Sequence, residues 1–177
     1  LLDESGSMCS CDRCTYARSS AIILYDFCKA LHIPVTVYGH STSGSSVELY
    51  SYAEFESIDN DDKYRLMDIA ARGSNRDGAA LRFVAEQLVK RPEEVKILIL
   101  VSDGQPAAPG YYGSAAEEDL RGIKQEYRRK GVLFIAAAIG EDKQNIERIY
   151  GDSFMDITDL NQLPVKLTAA VKRHMRV

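Results

Sequence analysis

Aspartate and serine alternate in the run Leu1-Leu2-Asp3-Glu4-Ser5-Gly6-Ser7-Met8, so a tight loop passing over an ion can aim the oxygens of Asp3, Ser5 and Ser7 at it. Gly6, between the serines, lets the backbone come close. Far along the chain, Ile97-Leu98-Ile99-Leu100-Val101-Ser102-Asp103-Gly104 repeats the design, an apolar strand that ends in an aspartate and a glycine. Open α/β sheets bind ligands at the carboxyl ends of their strands, so the two strand ends form one candidate cation site. Either loop alone reads equally well as a solvated turn with capping hydroxyls, because Ser and Asp are ordinary turn and N-cap residues. The pair, in this order, favours the site.

The elements that must carry these loops follow from hydrophobic periodicity. Ala17, Ala21, Leu24, Tyr25, Cys28 and Leu31 recur at helical steps, predicting a helix over 15–31 that packs on a sheet and is ended by Pro34. Val35-Thr36-Val37-Tyr38 reads as a strand, 41–46 as a Ser/Gly turn and 47–55 as a second strand, a hairpin-like pair at one side of the sheet. A short helix over 62–71, a polar loop over 72–78 and a helix over 79–91 come next, the last with Leu81, Val84, Ala85 and Leu88 on one stripe. Pro92 breaks that helix. The aliphatic run 95–101 is what a central strand buried on both faces requires. A helix over 115–130, strands over 132–139 and 154–157 and a final helix over 160–176 complete the chain. Strands alternating with helices predict an α/β fold, a doubly wound, mainly parallel sheet with one antiparallel edge strand. With no internal repeat or linker, 1–177 is expected to be a single domain.

The 177 residues are 45% hydrophobic and 27% charged, as in an ordinary globular domain. A net charge of -4 and a pI near 5.4 argue against nucleic acid as the main partner, which would need a basic face. No apolar run approaches the roughly 20 residues that span a bilayer. Only two residues precede Asp3 where a buried strand has about five or six, so the chain is expected to be a C-terminal fragment with its first strand truncated. Four cysteines without a paired spacing lean towards a reducing, cytoplasmic setting.

Asp3-Glu4-Ser5-Gly6-Ser7-Met8 with Ser102-Asp103-Gly104 downstream resembles the von Willebrand factor A (VWA) domain. In that family the first loop supplies Asp, Ser and Ser to a metal-ion-dependent adhesion site (MIDAS), a middle loop supplies a Thr, and the Asp ending the fourth strand completes the ring. The resemblance implies Asp3, Ser5, Ser7 and Asp103 as ligands of Mg²⁺, or of another divalent cation such as Ca²⁺ or Mn²⁺. Counting back from Leu81, the family's Thr falls on Asn75, a departure from the pattern. Asn75 can offer a carbonyl oxygen and Asp77 a charged one, while Asp77 reads equally as the N-cap of a helix beginning at Gly78. A third carboxylate would strengthen cation binding and weaken the draw on an acidic partner group.

Two finer resemblances narrow the family. Asn75-Arg76-Asp77-Gly78-Ala79-Ala80-Leu81 is similar to a loop of the cobaltochelatase T-type subunit, and Asp103-Gly104-Gln105-Pro106 with Tyr112, Gly113 and Glu118-Asp119-Leu120-Arg121 is similar to nitric oxide reductase activation proteins. Both are intracellular bacterial proteins that work with MoxR-type AAA+ ATPases in metal insertion or metalloenzyme maturation. The resemblance implies a non-enzymatic accessory domain whose partners are such an ATPase and a client metalloenzyme. No Gly-rich Lys-Ser/Thr phosphate loop occurs in the chain.

Two other classes compete. A Mg²⁺-dependent phosphohydrolase could use Asp3 as nucleophile, but it would want a second acid two residues on, where Ser5 stands. A thiol-based redox or zinc module could use Cys9, Cys11 and Cys14. A structural zinc site wants a fourth ligand, and Cys28 lies roughly 21 Å further along a helix, where it reads as a core residue. His32, His40 and His174 show no ligand spacing and are expected to be structural or exposed.

Overall fold

Leu98 and Leu100 pack among one set of core side chains while Ile99 and Val101 pack among another, because successive residues of a strand point to opposite faces. In the computed structural model, which describes residues 1–57, 59–104, 106–138 and 143–174, this strand is the middle of a sheet covered on both sides. The strands are β1 (Leu2–Asp3), β2 (Val37–Ser43), β3 (Ser46–Ala53), β4 (Lys96–Ser102), β5 (Ala107–Ala108), β6 (Tyr111–Tyr112), β7 (Val132–Ala138) and β8 (Phe154–Asp156). The helices are α1 (Arg13–Ala30), α2 (Asp62–Arg65), α3 (Asp77–Val89), α4 (Gly113–Arg129), α5 (Lys143–Tyr150) and α6 (Leu163–His174).

The main sheet has six strands in the order β3-β2-β1-β4-β7-β8. Among the described residues of this sheet only the β2–β3 pair is antiparallel, so the predicted α/β class and edge strand are both present. Ala17, Ala21 and Tyr25 of α1 join Leu163 at the start of α6 on one face; Leu81 and Val84 of α3, Leu120 and Ile123 of α4, and Ile146 and Ile149 of α5 cover the other. The chain winds outwards in both directions from the β1/β4 junction, and the loops after those two strands open into the crevice where such sheets bind ligands.

Several boundaries differ from the sequence reading. The residues expected to form a Ser/Gly turn mostly extend β2, and the turn contracts to Gly44 and Ser45, with Gly44 at φ +60°. Ser41 is tolerated in a buried strand because its hydroxyl accepts from Gly73 N–H (2.8 Å) and donates to Ser74 C=O (3.3 Å). The helix expected over 62–71 lasts one turn, followed by a 3-10 turn at Leu66–Asp68. That 3-10 turn stops where Ile69 turns extended and gives its carbonyl to the Arg18 guanidinium, at 2.6 Å from Nη2. The β5–β6 hairpin and α5 were not foreseen. The final helix is preceded by a 3-10 turn over Leu160–Gln162; residues 175–176 of the expected helix, like Ile139 of the expected strand, lie outside the described residues.

At the amino end of the sheet, β2 and β4 run on past the two residues of β1. An apolar cavity of about 610 Å³ opens there, lined by Leu1, Leu24, Phe27, Val37, Leu98 and Ile99 among others.

Candidate metal centre

One buried carboxylate gathers three segments. Asp3 is 1% exposed; its Oδ1 accepts from Ser5 N–H (2.8 Å), and its Oδ2 accepts from the Ser102 hydroxyl (2.8 Å) and the Asn75 amide (3.1 Å). The first loop, the middle loop and the end of β4 are thereby tied to the end of β1. The first loop then folds into a 3-10 turn over Gly6–Asp12, pinned by buried Met8. Its two hydroxyls, Ser5 Oγ and Ser7 Oγ, lie 3.0 Å apart. Asp103 is buried just beyond β4, and Arg13, first residue of α1, donates from Nη1 to Asp103 Oδ2 (3.1 Å) and to Ser7 C=O (3.3 Å).

The middle loop takes a form the sequence did not suggest. Asn75 Oδ1 accepts from Ala107 N–H (2.6 Å), which fixes the amide so that its NH₂ faces Asp3. Asn75 thus enters the site as a donor that orients Asp3, and its carbonyl faces away. Asp77 is not an N-cap: Arg76 holds that position without a side-chain bond, and Asp77 is the first helical residue. Its Oδ1 lies 3.2 Å from Nε2 of fully buried His40, yet the geometry is not that of a hydrogen bond, and neither atom has a hydrogen-bond partner among the described residues. Burial and then Asp77 hold the Asp3 carboxyl above its ordinary range. Burial opposes charge on His40, but Asp77 and then Asp3 outweigh it and raise the imidazole pKa.

Glu4 escaped the sequence reading because it falls on the off-beat of the Asp/Ser alternation. It is 1% exposed and accepts from Tyr52 Oη (2.6 Å) and Arg72 Nε (2.7 Å), and its backbone carbonyl accepts from Arg72 N–H (2.6 Å). Gly39 makes room for it: a Cβ there would stand 1.8 Å from Glu4 Oε1. Arg13, His40 and Ser102 also went unread, since charge, burial and a hydroxyl become a site only when distant segments meet.

Cys9 and Cys11 are exposed, Cys14 points its thiol at Ile69 C=O (3.6 Å), and Cys28 is half-buried and lines the apolar cavity. Among the described residues, no three His, Cys, Asp or Glu side chains converge to hold a metal, the thiols included. Any cation site here must draw on hydroxyl oxygens as well as carboxylates.

The family described as "Cobalamin biosynthesis protein CobT VWA domain" matches residues 65–175. The chain belongs to that family. This VWA domain is 34% identical over 97 residues to Protein NorD of Brucella suis biovar 1, covering 53% of the chain and 15% of NorD. It is 25% identical over 187 residues to uncharacterized protein YojO of Bacillus subtilis, covering 98% of the chain and 29% of YojO. The chain therefore spans less than a third of the curated relatives it matches. Among solved structures, proximal thread matrix protein 1 from the mussel byssus, with a zinc occupied MIDAS motif, superposes at TM-score 0.62, with 21% identity over 96% of the chain and 46% of that protein. The VWA domain of SpRpn10 superposes at 0.59, with 14% identity and 93% of each chain covered. These likenesses establish a shared fold. Among the described residues no helix is long and apolar enough to cross a membrane.

The residues fit a hard divalent cation. Asp77 Oδ1 is a buried carboxylate oxygen without a hydrogen bond, and the Asp3 carboxyl is strained upwards by burial and a neighbouring negative charge. A cation would relieve both, and carboxylate, hydroxyl and water oxygens are the ligands that Mg²⁺ and Ca²⁺ take.

Proposed function

We propose that this VWA domain is a non-enzymatic, metal-dependent interaction module in which Asp3, Ser5, Ser7 and Asp103 hold Mg²⁺, or Ca²⁺ or Mn²⁺ in its place. Asn75 orients Asp3, and Asp77 adds negative charge at the edge of the ring. The observation that carries this reading is the meeting of the β1 and β4 ends on one buried carboxylate, with Ser102 and Asn75 both donating to Asp3. When bound, the cation supplies a Lewis-acidic position that an acidic side chain of a partner can occupy. The protein's own contribution is to hold the oxygens in register, with the hydrogen bonds from Ser5 only partly offsetting the burial and the Asp77 charge that raise the Asp3 pKa.

Membership of the CobT VWA family and the similarity to NorD support an accessory role in a larger assembly. The partner we infer is a cytoplasmic MoxR-type AAA+ ATPase acting on a client metalloenzyme, with this domain as the coupling element. A pulldown of the host ATPase by this domain tests it. Capture is expected with Mg²⁺ and intact Asp3, and should be lost in EDTA or with Asp3→Ala. Equal capture in every condition would remove the metal from the docking mechanism.

A further inference from the structure

A cationic side chain already sits against the proposed ligands. The Arg13 guanidinium donates to Asp103 Oδ2 at 3.1 Å and to the carbonyl of Ser7 at 3.3 Å, so it bridges the first loop and the end of β4, the two segments that carry the ligand oxygens. Its side chain is 14% exposed and that of Asp103 6%, so the pair is largely withdrawn from water, where charge–charge interactions are strong. Arg13 stands at the start of α1 immediately after a backbone kink, with Cys11 at φ 54° and Asp12 at φ 57°. Two consecutive non-glycine residues in the left-handed region are uncommon, and here they aim the first residue of the helix back over the loop it leaves.

We propose that Arg13 is a built-in counter-ion that competes with the divalent cation for Asp103. Without metal, the guanidinium neutralises Asp103 and locks the Ser7 carbonyl, keeping the buried acidic end of the sheet compact. A divalent ion entering the ring would share Asp103 with a positive charge a few ångströms away. It must therefore displace Arg13 or bind weakly beside it. Arginine suits the role, because it stays charged at any ordinary pH and its fork matches two oxygen acceptors. Metal occupancy then becomes a threshold set by Arg13. This inference rests on the metal-site reading above and concerns the affinity of that site.

Isothermal titration of the chain with MgCl₂ tests it, using wild type, Arg13→Gln, Arg13→Lys and Asp3→Asn, each checked for folding by circular dichroism and thermal melting. Removing the charge with Arg13→Gln is expected to tighten Mg²⁺ binding roughly tenfold, while Arg13→Lys stays within about twofold of wild type and Asp3→Asn binds far more weakly. If Arg13→Gln and wild type bind Mg²⁺ equally while Asp3→Asn loses it, the counter-ion proposal is overturned and the metal site stands. If Asp3→Asn binds as wild type does, or no folded variant binds Mg²⁺ at all, the metal-site reading falls and takes the proposal with it.

Discussion

The two ends of the shortest strand in the sheet are built on opposite principles. Around the loop past Asp3 the fold buries Asp3, Glu4, His40, Asn75, Asp77 and Asp103 from distant parts of the chain, whereas the amino end of β2 and β4 is walled by leucine, isoleucine, valine and phenylalanine. Apolar burial is non-directional and tolerates a loose fit. Buried polar groups cost several kcal/mol unless each finds a partner, so their partners dictate where the loops must lie. Asp3 alone is held by Ser5, Asn75 and Ser102, and Glu4 by Tyr52 and Arg72. Geometry precise enough for ligand recognition is therefore confined to the polar end.

The sharpest test moves a carboxylate from one end to the other. Leu98→Asp places at the apolar end, 3% exposed, the group that the polar end satisfies with neighbours. Without them the cost is expected to reach about 5 kcal/mol or more, enough to unfold most domains. Circular dichroism should report an unfolded chain at 25 °C. A loss below about 1 kcal/mol would mean that the two ends do not differ as described.

Next in size is Arg72→Ala, which leaves Glu4 buried without its cation while Tyr52 still donates. Because Arg72 is 36% exposed, the expected loss is about 2 kcal/mol, less than for a fully buried pair. The melting temperature should fall by roughly 4–8 °C, and urea unfolding of Arg72→Lys should show partial recovery.

The smallest effect is expected at Asp156, where burial pushes the pKa up but Lys143 and the backbone and hydroxyl of Thr158 outweigh it, holding the carboxyl at about 2. A folded pKa below the unfolded value gives stability that is present above about pH 4 and is lost as pH falls through about 2. With both partners about a third exposed, the contribution is about 0.5 kcal/mol after screening. Asp156→Asn should make the acid limb between about pH 4 and 2 shallower by about 0.5 kcal/mol, as followed by urea titration at each pH, while the other carboxylates held below their ordinary range, such as Asp152 and Glu86, keep the rest of the limb.

The strands and helices that bury one full stripe were legible in the chain. The run ending at Val101 reads as a central strand by composition alone, and the stripe of Leu81, Val84 and Ala85 reads as a packed helix. Elements that depend on polar satisfaction were not. Ser41 sits inside β2 only because the middle loop answers its hydroxyl, and the 3-10 turn that follows the one-turn α2 ends where Arg18 captures the Ile69 carbonyl. Helix α5 left a signal in Ile146, Ile149 and Tyr150 at helical spacing, all buried, but in a stretch too short and polar to stand out.

For the candidate site the division is similar. The residue types at positions 3, 5, 7 and 103, and the apolar strands that bring Asp3 and Asp103 to one end of a sheet, are properties of the sequence, because alternation and burial are local and periodic. That Asn75 turns its NH₂ to Asp3, that Asp77 faces His40 instead of capping a helix, and that Arg13 reaches Asp103 were decided by the tertiary structure. These are relations between segments far apart in the chain. A buried hydrogen bond or ion pair is directional, so which atom meets which is undetermined until the packed sheet and helices have brought the loops within about 3 Å of each other.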